Sequence, residues 1–119
     1  MFGLKLQHID LIHACFAQYP QIEQIIIYGS RAKGNYKNGS DIDLTIVGDL
    51  DYSSLMKLEN QLDDLLLPYK IDLSLYQKIS NPDLIDHIKR VGKVFYEKAA
   101  RPDSSRSATN PKQGKTDTK

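Results

Sequence analysis

Residues 41–47 read Asp-Ile-Asp-Leu-Thr-Ile-Val, a strict two-residue alternation. A chain with that pattern settles as a strand with one apolar and one polar face. Ile42, Leu44 and Ile46 point one way, and Asp41, Asp43 and Thr45 the other. The fold must therefore bury one side of this strand and leave two carboxylates on the other. A second alternation, at 69–76, sets Ile71, Leu73 and Leu75 opposite Lys70, Asp72 and Ser74. Gln24–Tyr28 is a short continuous apolar run leading into Gly29, which predicts a buried strand.

Between these runs the period changes. Ile9, Ile12, Phe16 and Tyr19 share one helical stripe that Pro20 ends. Leu55, Leu58, Leu62, Leu65 and Leu66 mark a second amphipathic helix, with Ser53 or Ser54 near its start and Pro68 beyond its end. Residues 80–92 carry the signals of a third: Ser80 or Asn81 as cap, Pro82 in the first turn and Gly92 at the stop. Lys93–Tyr96 predicts a short edge strand. The order helix, strand, strand, helix, strand, helix predicts an α/β (α+β) domain, a small mixed sheet with helices packed on one face.

Composition sets the outer limits. The 119 residues are 40% hydrophobic and 26% charged, which suits one domain. We divide the chain into a domain over 1–100 and a polar tail over 101–119. The tail has one Ala, no larger aliphatic residue and no aromatic, so it is expected to be disordered. Residues 1–100 hold 11 basic and 13 acidic side chains, a net of −2 that argues against direct nucleic-acid binding. No apolar run approaches membrane-spanning length, and a single cysteine, Cys15, fits a reducing compartment. A cytoplasmic protein is expected.

The polar faces carry the chemistry. Asp41 and Asp43 leave the same side of their strand, roughly 7 Å apart along it, and Asp72 holds the same kind of face on another. If the two strands are neighbours, three carboxylates surround a space able to hold two divalent ions roughly 4 Å apart. Magnesium suits such ligands, because it keeps several waters and takes one or two carboxylates plus substrate phosphates. Taken alone, either acidic stretch is most simply a solvent-facing strand edge. Gly29-Ser30 changes that weighting: glycine lets the backbone approach a ligand, and Ser30 with nearby N–H groups can donate to phosphate oxygens. Gly29 and Gly34 have the spacing of a P-loop, but Asn35 and Tyr36 stand where that loop needs Lys and Ser or Thr.

Gly-Ser, ten intervening residues, Asp-x-Asp and a later Asp in an alternating strand resembles the nucleotidyltransferase signature of the DNA polymerase β superfamily. The short chain resembles its minimal nucleotidyltransferases, the MNT family, over Ile9 to about Tyr96. The resemblance implies a polymerase-β-like fold, a nucleoside triphosphate such as ATP at Gly29-Ser30, Mg²⁺ on Asp41 and Asp43, and a third catalytic carboxylate at Asp72. It also implies phosphate contacts from Arg31 and Lys33. Many such proteins are antitoxins thought to adenylylate a tyrosine of a partner HEPN ribonuclease toxin. The expected activity is thus Mg²⁺-dependent transfer of AMP to a partner hydroxyl, without a membrane. Two other readings stand beside it: a binding module that inhibits its partner by contact, and a transferase acting on a small molecule.

Other residues draw plainer expectations. His8, His13 and His87 lack metal-ligand spacing, and the first two are expected on the surface of the first helix. Cys15 reads as a small apolar filler. Tyr28 and Tyr36 could stack on a nucleobase, but Tyr28 ends an apolar strand and suits the core, and stacking is the lesser expectation for either.

Overall fold

A computed structural model describes residues 2–37 and 39–98. The expected tail lies outside the described residues. In chain order the elements are α1 (Leu6–Phe16), β1 (Ile22–Tyr28), α2 (Gly29–Lys33), β2 (Ile42–Gly48), α3 (Tyr52–Asp64), β3 (Ile71–Leu75), a 3₁₀ turn (Tyr76–Lys78), α4 (Pro82–Val91) and β4 (Lys93–Glu97). The four strands form one sheet in the order β3-β2-β1-β4. β1 runs antiparallel to β2 and β4, and β2 runs parallel to β3. The mixed sheet predicted from the alternations is present, with β4 at one edge.

The alternation decides which residues make the core. Ile25 and Ile27 of β1 and Ile42, Leu44 and Ile46 of β2 are wholly buried, as are Ile12 and Phe16 of α1 and Leu58 of α3. Each such side chain contributes about 1.5–3 kcal/mol by leaving water. Helices α1 and α3 thus cover one face. Tyr19 lies beyond the end of α1 yet stays tied to α3, its hydroxyl donating to Gln61 Oε1 at 2.6 Å.

Helix α4 goes to the other face, where the expectation of a single helical layer needs refining. A Cβ on Gly92 would press on Ile26, which alternates away from Ile25 and Ile27, and the His87 ring meets the Tyr28 ring edge-on at 6.1 Å. The helix buries Ile88 there and leaves Asp41 and Asp72 exposed. Its cap is Asn81, whose side chain accepts from Asp83 N–H, as the sequence predicts. The start of α3 differs: Asp51, not Ser53 or Ser54, is the cap, and its carboxylate accepts from Ser54 N–H at 2.9 Å. Leu66 also departs from the expected stripe. The helix ends before it, and Leu66 sits at φ +54° with 88% of its surface exposed.

Candidate active site

The open face of the sheet gathers the acidic residues. Asp43 lies opposite Tyr28 of β1 on one side and opposite Asp72 of β3 on the other. The strand adjacency on which the carboxylate triangle depends is therefore present, in register. Asp41 precedes β2 and is exposed, as is Asp72, whereas Asp43 is half-buried. Burial first, then the Asp72 and Asp41 charges, push the Asp43 carboxyl above the usual carboxylate range, and His87 pulls it down. One carboxylate thus feels the other two, as groups sharing one space must.

Gly29 joins this cluster to the turn after β1. Its φ is +75°, a conformation that costs an L-residue, and a Cβ there would run into Asp43 Oδ2. The backbone approaches the central carboxylate as closely as it does because position 29 has no side chain. Ser30 follows, half-buried, and Lys33 is exposed three residues further on. Gly29–Lys33 forms the short helix α2, closed by Gly34 at φ +90°.

Arg31 requires a correction. Resemblance implies a phosphate contact, but the side chain is only 3% exposed. Its Nε and Nη2 donate to Ser40 O at 3.1 and 2.9 Å, and Nη1 donates to Phe2 O at 2.9 Å. The Tyr36 and Tyr69 rings lie against it, each with its centroid 5.2 Å from Cζ. A guanidinium buried in this way holds the protein's own backbone. The Tyr36 ring packs on Arg31 and is 36% exposed.

Four more side chains complete the face. Thr45 and Ser74 are the next pair on the same face beyond Asp43 and Asp72, and Ser74 Oγ donates to Thr45 Oγ1 at 3.0 Å. Burial pushes the Tyr28 hydroxyl up despite a hydrogen bond with Ser74, and the Asp43 and Asp72 charges push the same way. His87, given no role by sequence, stands beside Tyr28 and Asp43 because α4 folds back over β1. No local motif announces that placement.

The other histidines are not free surface groups as expected. His8 Nδ1 lies 3.2 Å from the Tyr69 hydroxyl and His13 Nε2 lies 2.8 Å from Phe95 O, both half-buried. Cys15 is buried, and burial pushes its thiol up, which suits a filler rather than a nucleophile. A cavity of about 380 Å³ lies between α3 and β3, bordered by Leu62, Ile71 and Leu73. Ile71 and Leu73 alternate away from Asp72, so it opens on the opposite side from the carboxylates.

Among the described residues, no three or more His, Cys, Asp or Glu side chains form a group that could by itself hold a metal ion. Magnesium needs no such group, because it takes one or two carboxylates and completes its coordination with water and substrate phosphate. Among those residues too, no helix is long and apolar enough to cross a membrane.

A mixed sheet with a glycine-serine turn packed on an acidic strand is the scaffold of nucleotidyl transfer, and that is the class this fold defines. The profile described as polymerase beta, nucleotidyltransferase matches residues 10–101. The chain belongs to that family and is a nucleotidyltransferase. It is 32% identical over 95 residues to MJ0604 of Methanocaldococcus jannaschii, provisionally named a protein adenylyltransferase, spanning 73% of this chain and 92% of the relative. It is 28% identical over 97 residues to MntA of Haemophilus influenzae, named in the same provisional way, spanning 80% and 84%. Among solved structures it resembles a toxin–antitoxin crystallised with AMP-PNP, with a TM-score of 0.61, 22% identity and coverage of 75% and 73%. It also resembles a complex of tri-AMPylated Shewanella oneidensis HEPN toxin with MNT antitoxin, at a TM-score of 0.58, 18% identity and coverage of 79% and 73%. At these identities the two structures speak for the fold.

Proposed function

We propose that this chain transfers AMP from ATP to a hydroxyl of a partner protein, most simply a tyrosine of a HEPN-type ribonuclease toxin that it thereby silences. The carrying observation is the contact of Gly29 with Asp43 while Asp72 stands opposite Asp43 in the ladder. The relatives' names support a protein acceptor, and the toxin–antitoxin complexes support a HEPN partner.

The donor set fits magnesium. Asp41 and Asp43 are hard oxygen ligands on one face, with Asp72 able to hold a second ion. Bound there, Mg²⁺ supplies charge neutralisation for the departing pyrophosphate and lowers the pKa of the attacking hydroxyl. The protein's own groups do the rest. Ser30 and the backbone around Gly29 donate to triphosphate oxygens, and Lys33 adds a cation from its exposed position. The acceptor oxygen forms the new bond to the α-phosphorus as the bond to the β-phosphate oxygen breaks. The hydroxyl proton passes to Asp72 or to water. Positioning and charge stabilisation account for most of the acceleration.

The test is incubation of a HEPN partner with ATP, Mg²⁺ and this chain, followed by intact-mass and peptide mass spectrometry. An added AMP on a partner tyrosine is expected, and none with Asp43→Asn protein. Inhibition of the partner's ribonuclease activity without any added mass would favour a contact inhibitor instead.

A further inference from the structure

We propose that Arg31 is a positioning residue, a buried fork that holds the approach to Asp41 and the approach to Asp72 against the glycine-serine turn. The proposal rests on the nucleotidyl-transfer reading of the carboxylate face and adds a residue that the face itself does not contain.

A guanidinium stays charged at any pH a protein tolerates, so burying one demands that its donors be met. The three hydrogen bonds it makes among the described residues all go to backbone carbonyls, and among those residues the one ion pair is Arg90 with Asp86, elsewhere. Ser40, which takes two of the bonds, is the residue immediately before Asp41. It is itself folded into a tight turn, its Oγ accepting from Lys37 N–H at 2.9 Å and its own N–H donating to Lys37 O at 3.0 Å. Tyr69, one of the two rings against the guanidinium, lies three residues before Asp72, and its hydroxyl meets His8 of α1. Between these two approaches, Ile42 N–H donates to Lys70 O at 2.8 Å, joining the start of β2 to the start of β3. Arg31 belongs to α2, which begins at Gly29. One side chain therefore touches the segments that deliver two of the acids from within the element that carries the turn. A lysine has neither the fork nor the flat faces to do this.

A side chain holding backbone in this way acts on the carboxylates, whereas a phosphate contact acts on the triphosphate, and the two separate experimentally. Full-length Arg31→Lys is compared with wild type by amide hydrogen exchange over residues 35–42 and by ATP titration in EDTA and in Mn²⁺. Positioning predicts exchange in that segment at least about tenfold faster, because its local opening becomes easier. It predicts metal-free ATP affinity within about twofold of wild type and a metal-dependent gain in affinity that shrinks by about tenfold or more. Tyr36→Leu, which removes one ring from an exposed loop, should shift the same two readouts in the same direction by about threefold, so a poorly folded Arg31→Lys does not end the test. Loss of metal-free ATP affinity with unchanged exchange would overturn the proposal in favour of a phosphate contact, and unchanged values in both variants would overturn it outright. Wild-type protein that binds no ATP with metal would defeat the nucleotidyl-transfer reading, while the exchange comparison would still decide the clamp.

Discussion

Gly29→Ala concentrates the structural claim into one methyl group. Two effects add. At φ +75° an alanine carries the left-handed penalty of about 1–2 kcal/mol, and its Cβ falls where Asp43 Oδ2 now sits. The carboxylate is the free end of a side chain, so it can swing aside, and the stability loss should stay near the backbone term. For a domain of this size that lowers Tm by roughly 4–8 °C per kcal/mol. The functional loss should be larger, because moving a reacting or ligating group by about 1 Å costs about a hundredfold. Gly34→Ala is the matched control: φ there is +90°, and a Cβ would meet nothing within 4 Å. Both variants are unfolded thermally with and without Mg²⁺ and AMP-PNP. Ligand at about 100 times its Kd should stabilise wild type and Gly34→Ala by about 2.7 kcal/mol, and Gly29→Ala by far less. Equal ligand responses in the two alanine variants would refute the contact between the turn and the carboxylate as a functional one.

The other expectations are simpler to state. Asp43 has its folded-state pKa raised, so its contribution to stability is fully present below the ordinary value of 3.8 and is lost as pH rises through the folded value. Asp43→Asn should therefore raise the metal-free Tm at neutral pH, by an amount equivalent to no more than about 1 kcal/mol for like charges paired across strands. The gain should vanish below about pH 4, and transfer should fall about a thousandfold. Asp51 has the opposite sign: hydrogen bonds from Ser54 lower its pKa, so its support of α3 holds above 3.8 and fades as pH falls through the folded value. Asp51→Ala should lower Tm at neutral pH and converge with wild type in acid. Leu58→Ala, at a fully buried site, should cost about 2–5 kcal/mol by urea titration without altering the pH profile of transfer.

Much of this architecture can be read from periodicity because the sheet has one dry face. Alternation at 41–47 and 71–75 assigns every strand residue to a side, and with β2 beside β3 it brings Asp43 opposite Asp72. What stays hidden depends on contacts between distant segments. Gly29–Lys33 has too few residues to show a helical period, so nothing in the pattern announces α2. Asp51 and the serines at 53 and 54 are all good caps, and the chain's path from β2 decides among them. Arg31 looks like a solvent-facing cation until Phe2, Ser40, Tyr36 and Tyr69 are seen to enclose it. His87 reaches the acidic face because α4 crosses to the side that α1 and α3 leave open.

The most direct test is a crystal structure of the chain with Mg²⁺ and AMP-PNP. The account predicts the triphosphate lying over Gly29 and Ser30, with metal touching Asp41 and Asp43 and the α-phosphate facing Asp72. Nucleotide bound away from that turn, or metal that leaves both aspartates of β2 untouched, would contradict it.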